Sequence, residues 1–307
     1  MFPPETAAFA LDSPLALLHS LIAYLRADSK TTPNPLPLAL NVLLNTHSPS
    51  PIITTVVTSA ALHAAILYDA EQLRESHPGV ERFKIAAHQN ANVWWDGNLR
   101  LLGEPSIYSP ATKEWQPLAE DARTIAGPYS YLVSSLVSRF ETNFVVAPLR
   151  SPIHSLKPTV PSVDLVLIRP LRRPATRRAW EAAGSDGEQQ AAVRTEFVGK
   201  VWEVTGGIYD GGKHVDAVYD DEGEEEQVGV VEYIRCEGFE WQPVSFLVSH
   251  PFAIAVLTIS GVLPWQIPTN DTKSNLVCLD GAVKDLGNGG KIETKALGAE
   301  FGVGVWA

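Results

Sequence analysis

The stretch VGVVEYIRCEGFEW, Val228–Trp241, sets the fold class. Its β-branched and aromatic residues favour strand over helix, and Gly238 punctuates the run. Similar short apolar runs recur along the chain: NVWWDGNLRLLG (Asn92–Gly103), NFVVAP (Asn143–Pro148), VDLVLI (Val163–Ile168) and NLVCLDG (Asn275–Gly281). Turn residues separate them, with Asp96-Gly97 as a hairpin signal. Such a series predicts an α+β protein, mainly β, built as an antiparallel sandwich with flanking helices.

Upstream of these runs the pattern changes. Asp12 and Ser13 offer an N-cap, Pro14 suits the first helical position, and Leu15, Leu18, Ile22 and Leu25 recur at helical spacing to about Arg26. A stretch rich in Pro, Ser and Asn surrounds the single apolar run Leu38–Leu44, so it reads as loop, strand and loop. Ile52–Thr58 is β-branched and predicts a buried strand. The Ala-rich run from Ala60 through YDAEQLRESHPGVERF predicts one helix ending near Gly79. Further helical interruptions are expected around Pro128–Glu141 and Arg178–Val204, and Tyr219–Gln227 reads as a solvated acidic loop.

A formal charge of −11 over 307 residues argues against nucleic acid as a partner. The one concentrated basic run is RPLRRPATRR, Arg169–Arg178, which is either a solvated loop or a peripheral contact with acidic lipid headgroups. Cys236 and Cys278 are too few for a disulfide framework and read as buried strand residues. With no charged segment leading into an apolar core at the start, the expected compartment is the cytoplasm, with peripheral membrane contact.

The residues suited to chemistry lie in YDAEQLRESHPGVERF, Tyr68–Phe83. Arg74 and Arg82 bracket Gly79, and a guanidinium fork donates paired hydrogen bonds to phosphate. Glu71 stands three residues before Arg74, so an ordinary intrahelical ion pair is the competing reading. His214, in YDGGKHV, is a base by composition or a residue packing a helix terminus.

This segment resembles the signature of the sphingosine and diacylglycerol kinases, in which a small-residue strand leads into an acidic helix, an arginine, a glycine, and a second arginine followed by phenylalanine. The resemblance implies nucleotide phosphate contacts for Arg74, Arg82 and Glu71. It puts Asp69 forward as the lipid headgroup reader, because Leu67 stands where the family has its aspartate. NFVVAPLRSP and VDLVLIRP resemble later elements of the same domain. NLVCLDGAVKDLG resembles the D-G-E motif, with Asp280 and Gly281 on matching positions near nucleotide or magnesium and Ala282 replacing the glutamate.

The family's G-G-D-G-T phosphate loop, which supplies the proposed base, occurs nowhere in the chain. The catalytic base is therefore unassigned and no metal ligands are named. The resemblance implies residues 1–45 as a remnant of the α/β nucleotide lobe and 46–307 as a β-sandwich lipid-binding lobe. The apolar stretch Val244–Ser260 has no counterpart in the family. The expected function is ATP- and Mg2+-dependent phosphorylation of a sphingoid base or diacylglycerol, by a chain incomplete for that reaction. The alternative is a non-catalytic lipid-binding or regulatory protein.

Overall fold

Sixteen strands and four helices form among the residues that the computed structural model describes, 34–35, 37–44, 51–150, 161–220, 228–244, 273–298 and 304–305. The expected helix at 12–26, most of the acidic loop and residues 245–260 lie outside them. The strands are β1 (Asn34–Pro35), β2 (Leu38–Leu44), β3 (Pro51–Thr54), β4 (Val57–Ala60), β5 (Gly97–Leu102), β6 (Ser106–Ser109), β7 (Glu114–Pro117) and β8 (Thr124–Ala126). They continue with β9 (Tyr131–Ser135), β10 (Val163–Ile168), β11 (Glu232–Cys236), β12 (Gly238–Pro243), β13 (Leu276–Leu279), β14 (Ala282–Asp285), β15 (Lys291–Leu297) and β16 (Gly304–Val305). The helices are α1 (Ala61–Gln72), α2 (Glu81–Asn90), α3 (Pro174–Ala183) and α4 (Gly187–Tyr209).

The strands assemble into an eight-stranded sheet, ordered β14-β13-β4-β9-β10-β11-β6-β7, and a six-stranded sheet, ordered β3-β2-β15-β12-β5-β8. Every pairing within them is antiparallel, and β1 and β16 form a separate two-stranded pair. The chain repeatedly switches sheets over short corners: Thr55-Val56 joins β3 to β4, Gly103–Pro105 joins β5 to β6, and Glu237 alone joins β11 to β12. Strands that turn from one sheet into the other close the edges of a two-layer core. That core takes Leu99, Phe239, Trp241 and Ile292 from one sheet and Leu132, Leu165, Leu167 and Ile234, which share one face by register, from the other.

All residues of β9 and β10 are buried, so both faces of the eight-stranded sheet are covered. Helix α1 packs on β4, β9 and β13, and α4 adds the stripe Phe197, Val201, Val204 and Ile208 to the same core. Asp186 caps α4 by accepting from the N–H groups of Glu188 and Gln189. Asp164, fully buried, accepts from Tyr233 Oη at 2.7 Å and from Arg235 Nε and Nη2 at 2.8 Å each. Arg150 approaches it at 3.4 Å.

The α+β, mainly antiparallel class is what the apolar runs predict, and several local expectations are corrected. Pro128–Glu141 contains strand β9 rather than a helix, because Tyr131–Ser135 pairs with β4 on one side and β10 on the other. Asp96-Gly97 is not a hairpin turn: Gly97 opens β5, where an added Cβ would lie 2.2 Å from the Trp241 ring. Asn143–Pro148 is irregular, with Val145 N–H bonded to Ile208 O and Ala147 N–H to Ser138 O. Ile52–Thr58 is broken at Thr55-Val56 into strands of different sheets. The helix expected to run from Ala60 to near Gly79 ends earlier, at Gln72, and α2 starts at Glu81, beyond the left-handed Gly79 at φ +87°. The helical region 178–204 divides at Gly184, also left-handed. Strand β2, N-terminal to the boundary at residue 45, is an inner strand of the six-stranded sheet, between β3 and β15.

Candidate functional site

The β3–β4 corner leaves consecutive backbone N–H groups pointing away from either sheet. The carboxylate of Asp280 accepts all of them: Thr55 N–H at 2.7 Å, Val56 N–H at 3.0 Å and Val57 N–H at 2.8 Å, with Thr55 Oγ1 at 3.1 Å. Three successive N–H groups converging on one anion form a concave nest. Asp280 is held there by its own turn, since Asp280 (φ +48°) and Gly281 (φ +88°) are both left-handed and their flanks Leu279 and Ala282 are paired. This is the type I′ arrangement that Asp-Gly favours. An ionised carboxylate has about four acceptor positions. A magnesium ion at Asp280 would therefore have to displace the corner.

Helix α1 leaves β4 directly, through Ala61 at φ +55°. Its buried alanines, Ala61, Ala64, Ala65 and Ala70, let it lie close to the sheet. Leu67 packs beside Ala64, Leu276, Cys278 and Val283, an apolar setting in which an aspartate would be desolvated. Asp69 turns inward: its Oδ2 accepts from Lys273 Nζ at 2.5 Å and Asn90 Nδ2 at 2.6 Å, and Lys273 also donates to Asn90 Oδ1 at 3.1 Å. This triad ties α1, the end of α2 and the residues leading into β13.

Glu71 and Arg74 face outward as an ion pair at 2.6 Å, both side chains more than half exposed. Arg82 lies over the Phe83 ring at 4.7 Å, and its Nε is buried without a hydrogen-bond partner among the described residues. The structure thus packs α1, through Leu67 against Leu276 and Cys278, on the strand between Lys273, which holds Asp69, and Asp280-Gly281, which hold the corner, while Arg74 points to solvent and pairs with Glu71.

Residue types alone did not single out Lys273, Asn90, Thr55 or the pair Ser59 and His63. Ser59 Oγ lies 2.7 Å from His63 Nδ1, and burial pushes the His63 imidazole down to about 4. Ser59 is the cross-strand partner of Cys278, whose thiol burial pushes up. His214 is buried and its ring bonds to Val146 O at 3.1 Å, which favours packing over base chemistry; burial pushes it down to about 4.

Most of the basic run is turned inward. Arg169 grips Glu232 with Nε at 2.7 Å and Nη2 at 2.8 Å, Arg172 approaches the same carboxylate at 3.6 Å, and Arg177 and Arg178 are exposed. Among the described residues, no group of three or more His, Cys, Asp or Glu is placed to hold a metal ion, and no helix is long and apolar enough to cross a membrane. No protein-family model matches the chain, and no curated protein matches its sequence.

Proposed function

We propose that this chain is the lipid-binding β lobe of a lipid kinase resembling the sphingosine and diacylglycerol kinases. In that reading it presents the hydroxyl of a sphingoid base or diacylglycerol to ATP and Mg2+ held largely by an α/β lobe carrying the glycine-rich loop. One observation supports it most. The two sequence blocks that resemble family motifs adjoin: α1, which carries Asp69 and Glu71, packs on β13, the strand that leads into Asp280-Gly281. In this account Arg74 and Arg82 meet nucleotide phosphates, and positioning and charge neutralisation carry the catalysis.

The second reading, a non-catalytic lipid-binding or regulatory protein, is favoured by the state of the acids. Asp280 is engaged by the corner and Asp69 by Lys273. Both readings require a lipid site, so the test begins there. Sphingosine and diacylglycerol in mixed micelles are titrated into the purified chain while its tryptophan fluorescence is followed. Phosphoryl transfer from labelled ATP is then measured with and without a separately expressed α/β lobe bearing G-G-D-G-T. Saturable binding, with transfer only when the lobe is supplied, supports the kinase reading. Binding without transfer in either mixture supports the regulatory one, and absence of saturable binding to both lipids refutes both.

A further inference from the structure

Strand β4 enters α1 through the left-handed Ala61, and no side chain caps the helix. This turn folds Ser59, on the strand, onto His63, in the first helical turn, with Oγ and Nδ1 2.7 Å apart. A serine hydroxyl bonded to an imidazole has its proton acceptor in place, which is what a serine nucleophile needs. Across the sheet Ser59 pairs with Val133 and Ala61 with Tyr131, so Tyr131 stands on the Ser59 face, two residues along β9. The Tyr131 ring meets the His63 ring edge-on, 6.3 Å between centroids. Its side chain is buried, and its hydroxyl has no hydrogen-bond partner among the described residues. A buried hydroxyl costs about 1–3 kcal/mol unless something accepts from it. Burial also pushes its ionisation up, so it stays a donor.

We propose that Ser59, His63 and Tyr131 form an acyl-transfer site for an ester with an apolar acyl group. Ser59 Oγ bonds to the acyl carbonyl carbon while its proton passes to His63 Nδ1, and the carbonyl oxygen, taking the negative charge, accepts from Tyr131 Oη. The tetrahedral species collapses by breaking the bond to the ester oxygen, and the alcohol leaves with the proton from His63. Water then repeats the sequence on the acyl-serine, which releases the carboxylic acid and restores Ser59.

The surroundings define the ester. Phe140 packs on His63 at 6.0 Å and stacks on Phe144 at 5.9 Å, and Phe144 meets Tyr209 at 5.0 Å. Phe140, Phe144 and His63 are half-buried and Tyr209 is 53% exposed, so a continuous aromatic surface runs from solvent to the imidazole. Ser59 is itself buried, and an ester reaches it along these rings, which selects for an apolar acyl group. Burial holds the His63 imidazole near 4, so at neutral pH it is uncharged and free to accept a proton, but it is a weak base. A weak base suits activated esters and slow turnover. The step uses neither ATP nor a second lobe, so it stands or falls apart from the lipid-kinase reading.

Covalent labelling of the full chain tests it. The chain is incubated with an alkyl fluorophosphonate, which reacts with activated serines, and the labelled peptides are mapped by mass spectrometry. Ser59 is expected to label ahead of every other serine. His63→Gln is expected to slow that labelling by about 100-fold, the low end of general-base assistance. Tyr131→Phe is expected to slow it by about 100-fold as well, as for loss of one oxyanion donor. Hydrolysis of p-nitrophenyl octanoate, run without ATP, is expected to fall to the uncatalysed rate in Ser59→Ala. Each variant is assayed below the melting transition that circular dichroism records for it. Absence of label at Ser59 in the parent chain, a result that depends on no variant folding, would overturn the proposal. Labelling that His63→Gln leaves unchanged, or ester hydrolysis that survives Ser59→Ala, would also overturn it.

Discussion

Replacing Asp280 by Asn asks whether this carboxylate serves the fold first. The side chain accepts four hydrogen bonds from the β3–β4 corner. Asn has one acceptor oxygen and an amide donor, so it retains about two of these bonds and turns a donor toward N–H groups. At about 1 kcal/mol per net hydrogen bond, and with the site exposed and screened, the expected loss is about 2 kcal/mol. For a chain of 307 residues that corresponds to a fall of about 3 °C in Tm. The turn itself is not perturbed, because Asn-Gly suits the same left-handed pair as well as Asp-Gly does. Asp280→Ala removes all four bonds and places an alanine at φ +48°, so it should fall further by about 1 kcal/mol or more. Thermal and urea unfolding followed by circular dichroism measure both variants. Tm values within about 1 °C of the parent for both substitutions would refute the corner-tie reasoning, since the predicted shift is about 3 °C or more. If those variants also lost ATP-dependent transfer in the two-lobe assay, Asp280 would belong to the nucleotide site.

Asp164→Ala should be more damaging, at about 3 kcal/mol in equilibrium denaturation, because it leaves the buried Tyr233 hydroxyl and the half-buried Arg235 without their shared acceptor; a change under about 1 kcal/mol would mean water replaces the carboxylate. Lys273→Met should cost about 2 kcal/mol by stranding Asp69, and adding Asp69→Asn should recover about half of it, a coupling that a double-mutant cycle reads directly. His214 is held below its ordinary value by burial, near 4 when folded against about 6.5 for a free histidine. The unfolded chain therefore binds the extra proton first, and stability present above pH 6.5 is lost as pH falls toward 4, by on the order of 3 kcal/mol. His214→Gln should flatten that limb of the stability–pH curve, and an unchanged slope would assign the acid sensitivity elsewhere.

The class of the fold was legible because strand burial leaves a compositional trace. Val163–Ile168 is apolar at five of six positions and is buried on both faces, and Phe197, Val201, Val204 and Ile208 repeat at helical spacing and face the core. Sheet membership left almost no trace. Strands β11 and β12 are separated only by Glu237, yet they belong to different sheets. The mark of that corner is Gly238, whose missing Cβ would otherwise sit 2.2 Å from Thr294 O. Read along the sequence, that glycine is a turn signal like any other. The helix expected over Pro128–Glu141 failed for a related reason: pairing on both edges overrides the weak local preference of Tyr131–Ser135.

The candidate site was legible in residue type and hidden in geometry. Carboxylates attract functional readings because they hold metals, protons and phosphate partners, but a sandwich whose strands change sheets creates its own demand for acceptors. Each corner removes backbone N–H groups from one ladder before the next begins, and N–H groups left unpaired destabilise the fold. At Thr55–Val57 three such groups appear together, and Asp280 meets them from a hairpin far along the chain. Asp69 likewise has its cation in Lys273, which no helical or strand period connects to it. A carboxylate beside a sheet-switching corner therefore has a structural use before it has a chemical one. Of the acids singled out in the sequence, Glu71 is the one whose partner, Arg74, lies within reach of helical spacing, and its pairing was the one sequence reasoning could anticipate.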